Sequence, residues 1–182
     1  MAEKSPSVPF MDAPSRLTPD MAGYVGFDPF NISAFLNVKW LQEAEIKHAR
    51  ICLLAILGFM VAEVYQFPWY SDYPHVVIYR HNWAVTNGSL SQILLWCSFF
   101  EIMTMPAVTQ MVTGRSDREP GDFKFDPLGL GKDPAKLAVY KVNEIKNGRL
   151  AMIAVSGAIH HAAVTNQNLI EQLTAGNILP KL

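Results

Sequence analysis

Two short stretches decide the fold of this chain: residues 45–50 read EIKHAR, and residues 144–149 read EIKNGR. Each stretch leads directly into an apolar run. When the two glutamates are aligned, six of the first fourteen paired positions are identical. The likeness extends backwards, because GFDPF at residues 26–30 is echoed by KFDPL at residues 124–128. The pattern predicts two copies of one structural unit in the same chain.

Apolar segments follow both copies, and a third lies between them. Residues 51–62 contain no charged residue, Glu101 is the sole charge in residues 90–113, and residues 150–169 contain no Asp, Glu, Lys or Arg. A helix rises 1.5 Å per residue, so about 20 residues cross a hydrocarbon core about 30 Å thick. We therefore predict three transmembrane helices, over approximately residues 40–66, 90–112 and 134–165.

The remaining sequence predicts a single all-α membrane domain over residues 1–182. The segment NLIEQLTAGNIL predicts a short amphipathic helix over about residues 167–175 on the membrane surface. The positive-inside rule places the N-terminus on the cytoplasm-like side. The number of Lys and Arg residues alternates between high and low along the chain: it is five in residues 1–50, one in 64–89, eight in 114–149 and one in 165–182.

Composition supports a membrane protein and argues against nucleic-acid binding. Half of the 182 residues are hydrophobic and 17% are charged, which is more apolar than a soluble domain usually is. The formal net charge is -1, whereas binding to phosphates needs a concentrated basic field. Cys52 and Cys97 lie inside apolar runs without CxxC spacing, so we expect buried thiols and no disulfide framework.

The charges in the two copies need partners. Glu45 and Arg50 are five residues apart, so they diverge by about 140° on a helix and cannot pair locally. A two-fold relation between the copies would pair Glu45 with Arg149, and Glu144 with Arg50. Reciprocal pairing would avoid the cost of several kcal/mol for each unpaired charge in a bilayer. The alternative is that these side chains extend separately to the membrane surface.

Small residues in both copies suggest where the first and third helices approach each other. Gly58 and Gly157, together with Ala55 and Ala154, occupy equivalent positions after the charged stretches. Small side chains at a helix interface let two backbones come close. We therefore predict that these four residues let the two helices approach closely.

Neutral donor atoms accompany the glutamates. His48 and Asn147 each lie three residues after their Glu, about 60° round the helix, and His161 falls near the same stripe as Asn147. His160 points well away from that stripe. Single, separated donors suit a metal that needs one protein ligand, such as magnesium in a chlorin, which accepts imidazole, amide oxygen or carboxylate. A ligating carboxylate needs a counter-charge, which an arginine of the other helix would supply.

The segments FDPF, EAEIKHARICLLAILG, FDPLGLG and VNEIKNGRLAMIAVSG resemble the chlorophyll-binding light-harvesting antenna family of thylakoid membranes. The resemblance implies crossed first and third helices, two Glu–Arg pairs that lock them, and carotenoids in the grooves on either side. EIKHAR and the N-terminal segment are similar to the red-lineage algal branch. That likeness implies chlorophyll a, chlorophyll c and fucoxanthin- or peridinin-type carotenoids, with lipids around them.

The resemblance also implies roles for individual residues. Gln92 would serve a different face of the middle helix from Glu101, and Gln172 stands where some family members have a ligating His. Arg50 and Arg149 are implied as the charge partners at the pigment sites. The implied axial ligands of chlorophyll magnesium are Glu45, His48, Glu101, Glu144, Asn147 and His161.

The expected function is a non-catalytic antenna that passes excitation to a photosystem core. Residues 91–105 resemble antennas of photosystem I, which we favour as the partner, beside neighbouring antenna subunits. The expected location is the chloroplast thylakoid membrane, with the N-terminus stromal and the C-terminus lumenal. A photoprotective member of the family is the first alternative. More remote are a transporter and a membrane di-iron enzyme, suggested by Glu45-x-x-His48.

Overall fold

Helices form the regular structure of the chain in the computed structural model, which describes residues 4–69 and 72–176. No β-strand occurs within these two ranges. A single turn of 3₁₀ helix at Leu130–Lys132 precedes the last long helix. The α-helices are α1 (Ile32–Phe35), α2 (Val38–Val64), α3 (Val77–Thr86), α4 (Ser89–Val112), α5 (Pro134–Thr165) and α6 (Leu169–Thr174).

The long helices lie within two residues of the predicted boundaries. α2 begins and ends two residues before the predicted range, α4 begins one residue early, and α5 covers residues 134–165. α6 falls inside the predicted range 167–175. The first three and last six residues of the predicted 1–182 domain lie outside the described residues.

α3 lies between the predicted helices 40–66 and 90–112, where the sequence predicts no helix. The segment before α3 is rich in Pro, Tyr and Ser, so the sequence of this region is typical of a loop and does not indicate a short helix. Arg80 is buried and donates from Nε to the carbonyl of Pro74 at 3.0 Å. The guanidinium also lies 5.1 Å from the ring centre of Tyr73. The helix is therefore fixed by contacts that its own periodicity does not show.

α4 is the helix, among the described residues, that is long and apolar enough to cross a membrane by length and composition. None of its apolar window is buried by protein. Pro106 lies inside this helix, a placement that membrane helices tolerate better than soluble ones. Cys97, also on α4, is exposed, so the prediction of a buried thiol was wrong there, because the described residues bury none of the apolar window of α4.

Little of the apolar surface is buried by the protein itself. In the described part of the chain, large side chains such as Leu54, Leu94 and Ile153 remain 70%, 67% and 73% exposed. Apolar surface of this extent is covered by lipid, by another protein or by bound apolar molecules. The buried apolar residues of the same part are Ala49, Met111, Ile145, Ala151, Ala158 and Ala162.

The close approach of α2 and α5 lies within the charged stretches. A Cβ built on Gly148 would lie 2.2 Å from the Cβ of Ala49, so only glycine fits. Ala49 and Gly148 occupy the same position of EIKHAR and EIKNGR. No described atom lies within 4 Å of a Cβ built on Gly58 or Gly157. The predicted contact at those two glycines was therefore wrong, because the helices meet beside the charges instead.

The chain divides into two compact units. The first is formed by Met1–Arg50 and Met105–Arg149, and contains both charged stretches. The second is formed by Ile51–Thr104 and Leu150–Leu182, and contains α3, α6 and the apolar ends of α2 and α5. Every contact described below lies within one unit.

The two FDP segments form the same turn. Asp28 accepts hydrogen bonds from the backbone N–H groups four and five residues later, at 2.9 Å and 2.9 Å. Asp126 does the same at 3.0 Å and 2.7 Å. Three residues after each Asp, Asn31 and Gly129 adopt left-handed backbone, with φ of 52° and 66°. The repeat seen in the sequence therefore reappears in local geometry.

These hydrogen bonds lower the pKa of both carboxyl groups. For Asp28, partial burial acts to raise the pKa, but hydrogen bonds from Ser33 and neighbouring backbone N–H groups outweigh it. For Asp126, the hydrogen bond from the N–H of Gly131 is the largest cause of the lowered pKa, and desolvation opposes it. The charge of Lys132 acts in the same direction as Gly131. Both carboxylates are therefore stabilised in their ionised form.

Candidate functional site

Two ion pairs join α2 to α5. Nε of Arg149 donates to Oε1 of Glu45 at 2.7 Å, and Nε of Arg50 donates to Oε1 of Glu144 at 2.7 Å. This is the reciprocal pairing that the five-residue spacing predicts. The side chains are about one-third to two-fifths exposed, yet they bind each other and do not extend separately towards water. Each copy neutralises the charge of the other.

Each arginine also binds a loop of the first unit. Nη1 of Arg50 donates to the carbonyl of Gly121 at 3.0 Å, and Nη1 of Arg149 donates to the carbonyl of Gly23 at 2.8 Å. An arginine is planar and can hold a carboxylate and a carbonyl in fixed directions at once. The guanidinium groups therefore fix the loops as well as the helices.

Glycine is required at both of these loop positions. Gly23 and Gly121 have φ of 72° and 77°, a conformation that side chains rarely adopt. A Cβ on Gly23 would lie 2.9 Å from Ile145, and one on Gly121 would lie 2.9 Å from Ile46. These two isoleucines occupy equivalent positions of the copies. Each loop thus packs against the helix of the other copy in the same way.

Glu43 is a third charged residue of the site, and sequence reasoning missed it. Its side chain is 3% exposed and accepts hydrogen bonds from Nη2 of Arg118 at 2.9 Å and from the N–H of Gly121 at 2.6 Å. The guanidinium of Arg118 lies 4.4 Å from the ring centre of Phe123. In the sequence, Glu43 stands in a charged run that is typical of a solvated helix start. Its partner lies 75 positions away, without a repeat to point to it.

The neutral donors His48 and Asn147 are held by their own helices. Nδ1 of His48 lies 2.8 Å from the carbonyl of Ala44, which can only accept, so Nδ1 carries the proton. Nδ2 of Asn147 donates to the carbonyl of Asn143 at 2.8 Å. Both side chains are exposed. Nε2 of His48 and Oδ1 of Asn147 are therefore the atoms that each side chain offers to a ligand.

His161 carries an unsatisfied nitrogen. Its Nε2 is buried and has no hydrogen-bond partner among the residues that the structure describes. Nδ1 lies 3.4 Å from Oγ1 of Thr165. A buried polar atom without a partner is unfavourable and calls for a ligand or a water molecule. Together, these three donors fit single axial ligation of a magnesium ion, which needs one nitrogen or oxygen from each side chain.

The two predicted ligands on α4 belong to the second unit. Gln92 and Glu101 are both exposed. Gln92 lies in a cleft of about 890 Å³ that Glu101 does not line. Aromatic rings form much of its wall, which includes Trp69, Trp83, Trp96 and Phe100. The cleft has the size and the apolar lining of a site for a large organic molecule.

Glu63 and Gln172 have structural partners in the second unit. The two carboxylate oxygens of Glu63 accept from the N–H groups of Leu169 and Ile170, at 2.9 Å and 2.7 Å. Glu63, near the end of α2, therefore holds the start of α6. Gln172 is buried and donates to the carbonyl of Gln167 at 2.9 Å. His75 and His81 are both exposed.

The fold and these side chains define a class of protein: a helical chain with exposed apolar helices, charges that pair between two helices, and isolated donor atoms. Within residues 4–69 and 72–176, no group of three or more His, Cys, Asp and Glu residues could hold a metal ion. The chain belongs to the chlorophyll a-b binding protein family, whose sequence model matches residues 13–163. It is thus a member of a light-harvesting, pigment-binding family and not of an enzyme family.

Several relatives carry informative names. The chain is 34% identical over 163 residues to light-harvesting complex stress-related protein 3.2 of Chlamydomonas reinhardtii, covering 81% of this chain and 62% of the relative. It is 34% identical over 144 residues to a fucoxanthin–chlorophyll a-c binding protein of Isochrysis galbana, covering 71% and 66%. It is 27% identical over 199 residues to photosystem I chlorophyll a/b-binding protein 5 of Arabidopsis thaliana, covering 94% and 77%. The chain thus spans less than two thirds of the stress-related relative.

Proposed function

We propose that this protein is a light-harvesting antenna of the chloroplast thylakoid membrane, which binds chlorophylls and carotenoids and passes excitation to a photosystem. The observation that carries the proposal is the pair of reciprocal ion pairs. Each arginine binds Oε1 of a glutamate on the other helix, which leaves Oε2 for a magnesium ion. The arginine neutralises the carboxylate, so the site as a whole can lie in an apolar environment.

The proposed architecture has three transmembrane helices, α2, α4 and α5, with α2 and α5 crossed and related by a pseudo-two-fold axis. The contact of Ala49 with Gly148 supports this relation, because the two residues are equivalent in the repeat. The matching loop contacts of Gly23 and Gly121 support it as well. The excess of Lys and Arg in residues 1–50 and 114–149 over residues 64–89 and 165–182 supports a stromal N-terminus and a lumenal C-terminus.

In this proposal the chain holds and orients the pigments, and the bound chlorophylls and carotenoids supply light absorption and excitation transfer. Glu101 and Gln92 would serve the middle helix, with Gln92 facing the aromatic cleft. Chlorophyll c and a fucoxanthin-type carotenoid are supported by the likeness to the Isochrysis protein. Lipids would cover the remaining apolar faces. The proposed axial ligands on α2 and α5 are Glu45, His48, Glu144, Asn147 and His161.

We favour a photosystem I core and neighbouring antenna subunits as partners, on the likeness to the Arabidopsis photosystem I protein. Photoprotection is the second candidate function, and the likeness to the stress-related Chlamydomonas protein favours it. The donor set does not favour a di-iron enzyme, because Glu45 is bound to Arg149.

The test is reconstitution with pigments. The chain is refolded in detergent with chlorophyll a, chlorophyll c and carotenoids, and the monomer is isolated on a sucrose gradient. We expect a coloured protein with red and blue chlorophyll bands, and chlorophyll a fluorescence after excitation of the carotenoid. A colourless protein that refolds without pigment would overturn the proposal. Bound chlorophyll with no transfer from the carotenoid would favour the dissipating function instead.

A further inference from the structure

The imidazole of His160 makes different hydrogen bonds from the imidazole of its neighbour, His161. Nδ1 of His160 lies 2.7 Å from the carbonyl of Ser156 and 3.5 Å from the Oγ of the same residue. The carbonyl can only accept, so Nδ1 carries the proton and Nε2 keeps its lone pair. This is the arrangement of His48, whose Nδ1 lies 2.8 Å from the carbonyl of Ala44. A second hydrogen bond on Nδ1 fixes both the tautomer and the ring direction of a ligating histidine.

The surface beside His160 is an open, apolar cleft. It has a volume of about 580 Å³ and is lined by Met152, Ile153, Ser156, Gly157 and His160. No described atom lies within 4 Å of a Cβ built on Gly157, so the helix surface is flat one turn before the imidazole. A flat apolar surface next to a nitrogen donor suits a planar macrocycle that stacks on the helix while its metal binds the ring nitrogen.

The two adjacent histidines serve different faces of α5. Consecutive residues are separated by about 100° on a helix. Nε2 of His161 is buried by protein, whereas the His160 side chain is exposed. His160 also lies about 160° from Glu144 round the helix axis. A ligand at His160 would therefore be additional to any ligand in the stripe of Glu144, Asn147 and His161.

We propose that His160 is the axial ligand of a further chlorophyll, which lies in the cleft at Gly157 on the outer face of α5. This inference rests on the proposed antenna function. The chain's own contribution is to hold the imidazole with Nε2 outward, through Ser156, and to keep the neighbouring surface free of side chains. The site needs no counter-charge, because a neutral imidazole ligates without one.

The test is pigment stoichiometry in reconstituted variants. His160→Leu should lose about one chlorophyll per chain, measured by chromatography of extracted pigments against protein quantified by amino-acid analysis. His160→Gln should keep that chlorophyll, because an amide oxygen is also an axial ligand. Gly157→Leu should lose it with the imidazole intact, because the new side chain would fill the cleft. The matched control is His75→Leu, which removes an exposed histidine from the loop before α3 and should change nothing.

The outcomes separate this inference from the proposed function. A wild-type chain that binds no chlorophyll would overturn both. A full pigment complement in both His160→Leu and Gly157→Leu would overturn the His160 site alone. The double variant His160→Leu/His161→Leu should lose about two chlorophylls, and loss of only one would mean that both histidines serve the same pigment, against the proposal. If His160→Leu does not assemble, the chlorophyll content of Gly157→Leu decides whether the site at His160 exists.

Discussion

Replacing Arg149 with leucine removes two contacts at once, to Oε1 of Glu45 at 2.7 Å and to the carbonyl of Gly23 at 2.8 Å. Loss of one partner from a fully buried ion pair costs about 3–5 kcal/mol, because the other charge is left stranded. The side chains here are 38% and 33% exposed, so solvent screening reduces the cost. We expect about 2–3 kcal/mol, or about 30- to 160-fold in the folding equilibrium. Glu45 should also lose its pigment, because an uncompensated carboxylate attracts water and protons.

The assay is thermal unfolding of the reconstituted complex, followed by visible circular dichroism, with the pigment content measured beforehand. Arg149→Leu combined with Glu45→Gln should recover part of the stability, because the second change removes the stranded charge. Lys136→Leu is the matched control, since Lys136 makes only a long, exposed pair with Asp133 at 3.8 Å, a type of pair worth about 0–1 kcal/mol. If Arg149→Leu assembled with full pigment and melted like Lys136→Leu, the cross-pairing argument would be wrong.

Three further predictions follow from single contacts. Gly121→Ala should lower stability by about 1–3 kcal/mol, because Gly121 has a positive φ and lies close to a helix side chain. Gly58→Ala is the control and should not lower stability, because Gly58 faces open space. Thermal unfolding compares the two variants. Glu63→Gln should speed hydrogen exchange at the first amides of α6 by about tenfold, and an unchanged rate would show that the carboxylate does not hold that helix. The lowered pKa of Asp28 and of Asp126 means that their stabilisation is complete above the ordinary value of 3.8 and is lost as pH falls through the lowered pKa. Asp28→Asn with Asp126→Asn should therefore reduce the loss of stability on acidification below about pH 4, and an identical pH profile for the double variant would contradict the effect.

The ion pairs could be predicted from the sequence because the geometry of a helix excluded the local alternative. Glu45 and Arg50 cannot meet on one helix, and the repeat supplied one partner for each. The long helices could be predicted because each has a long apolar run with at most one charged residue, Glu101 in residues 90–113. A sequence repeat therefore predicts long-range contacts that the sequence of a single segment does not predict.

The features that could not be predicted depend on contacts that neither the repeat nor a periodic pattern of apolar residues indicates. Glu43 is buried by a loop 75 positions away, and no pattern around it signals burial. Ala49 and Gly148 approach each other closely inside the charged stretches, where the pattern of apolar residues does not predict packing. α3 is short, and its buried Arg80 is fixed by carbonyls of the preceding loop. Such features depend on how segments meet, which composition and periodicity do not determine.

The most direct test of the account is the number of chlorophylls that remain when the two ion pairs are broken one at a time. Arg50→Leu and Arg149→Leu are each compared with the reconstituted wild-type chain, by extracted pigment per chain and by the visible absorption spectrum. The account predicts a coloured wild-type protein and, in each variant, the loss of at least the chlorophyll at Glu144 or at Glu45. A wild-type chain without chlorophyll, or variants that keep every pigment, would contradict it.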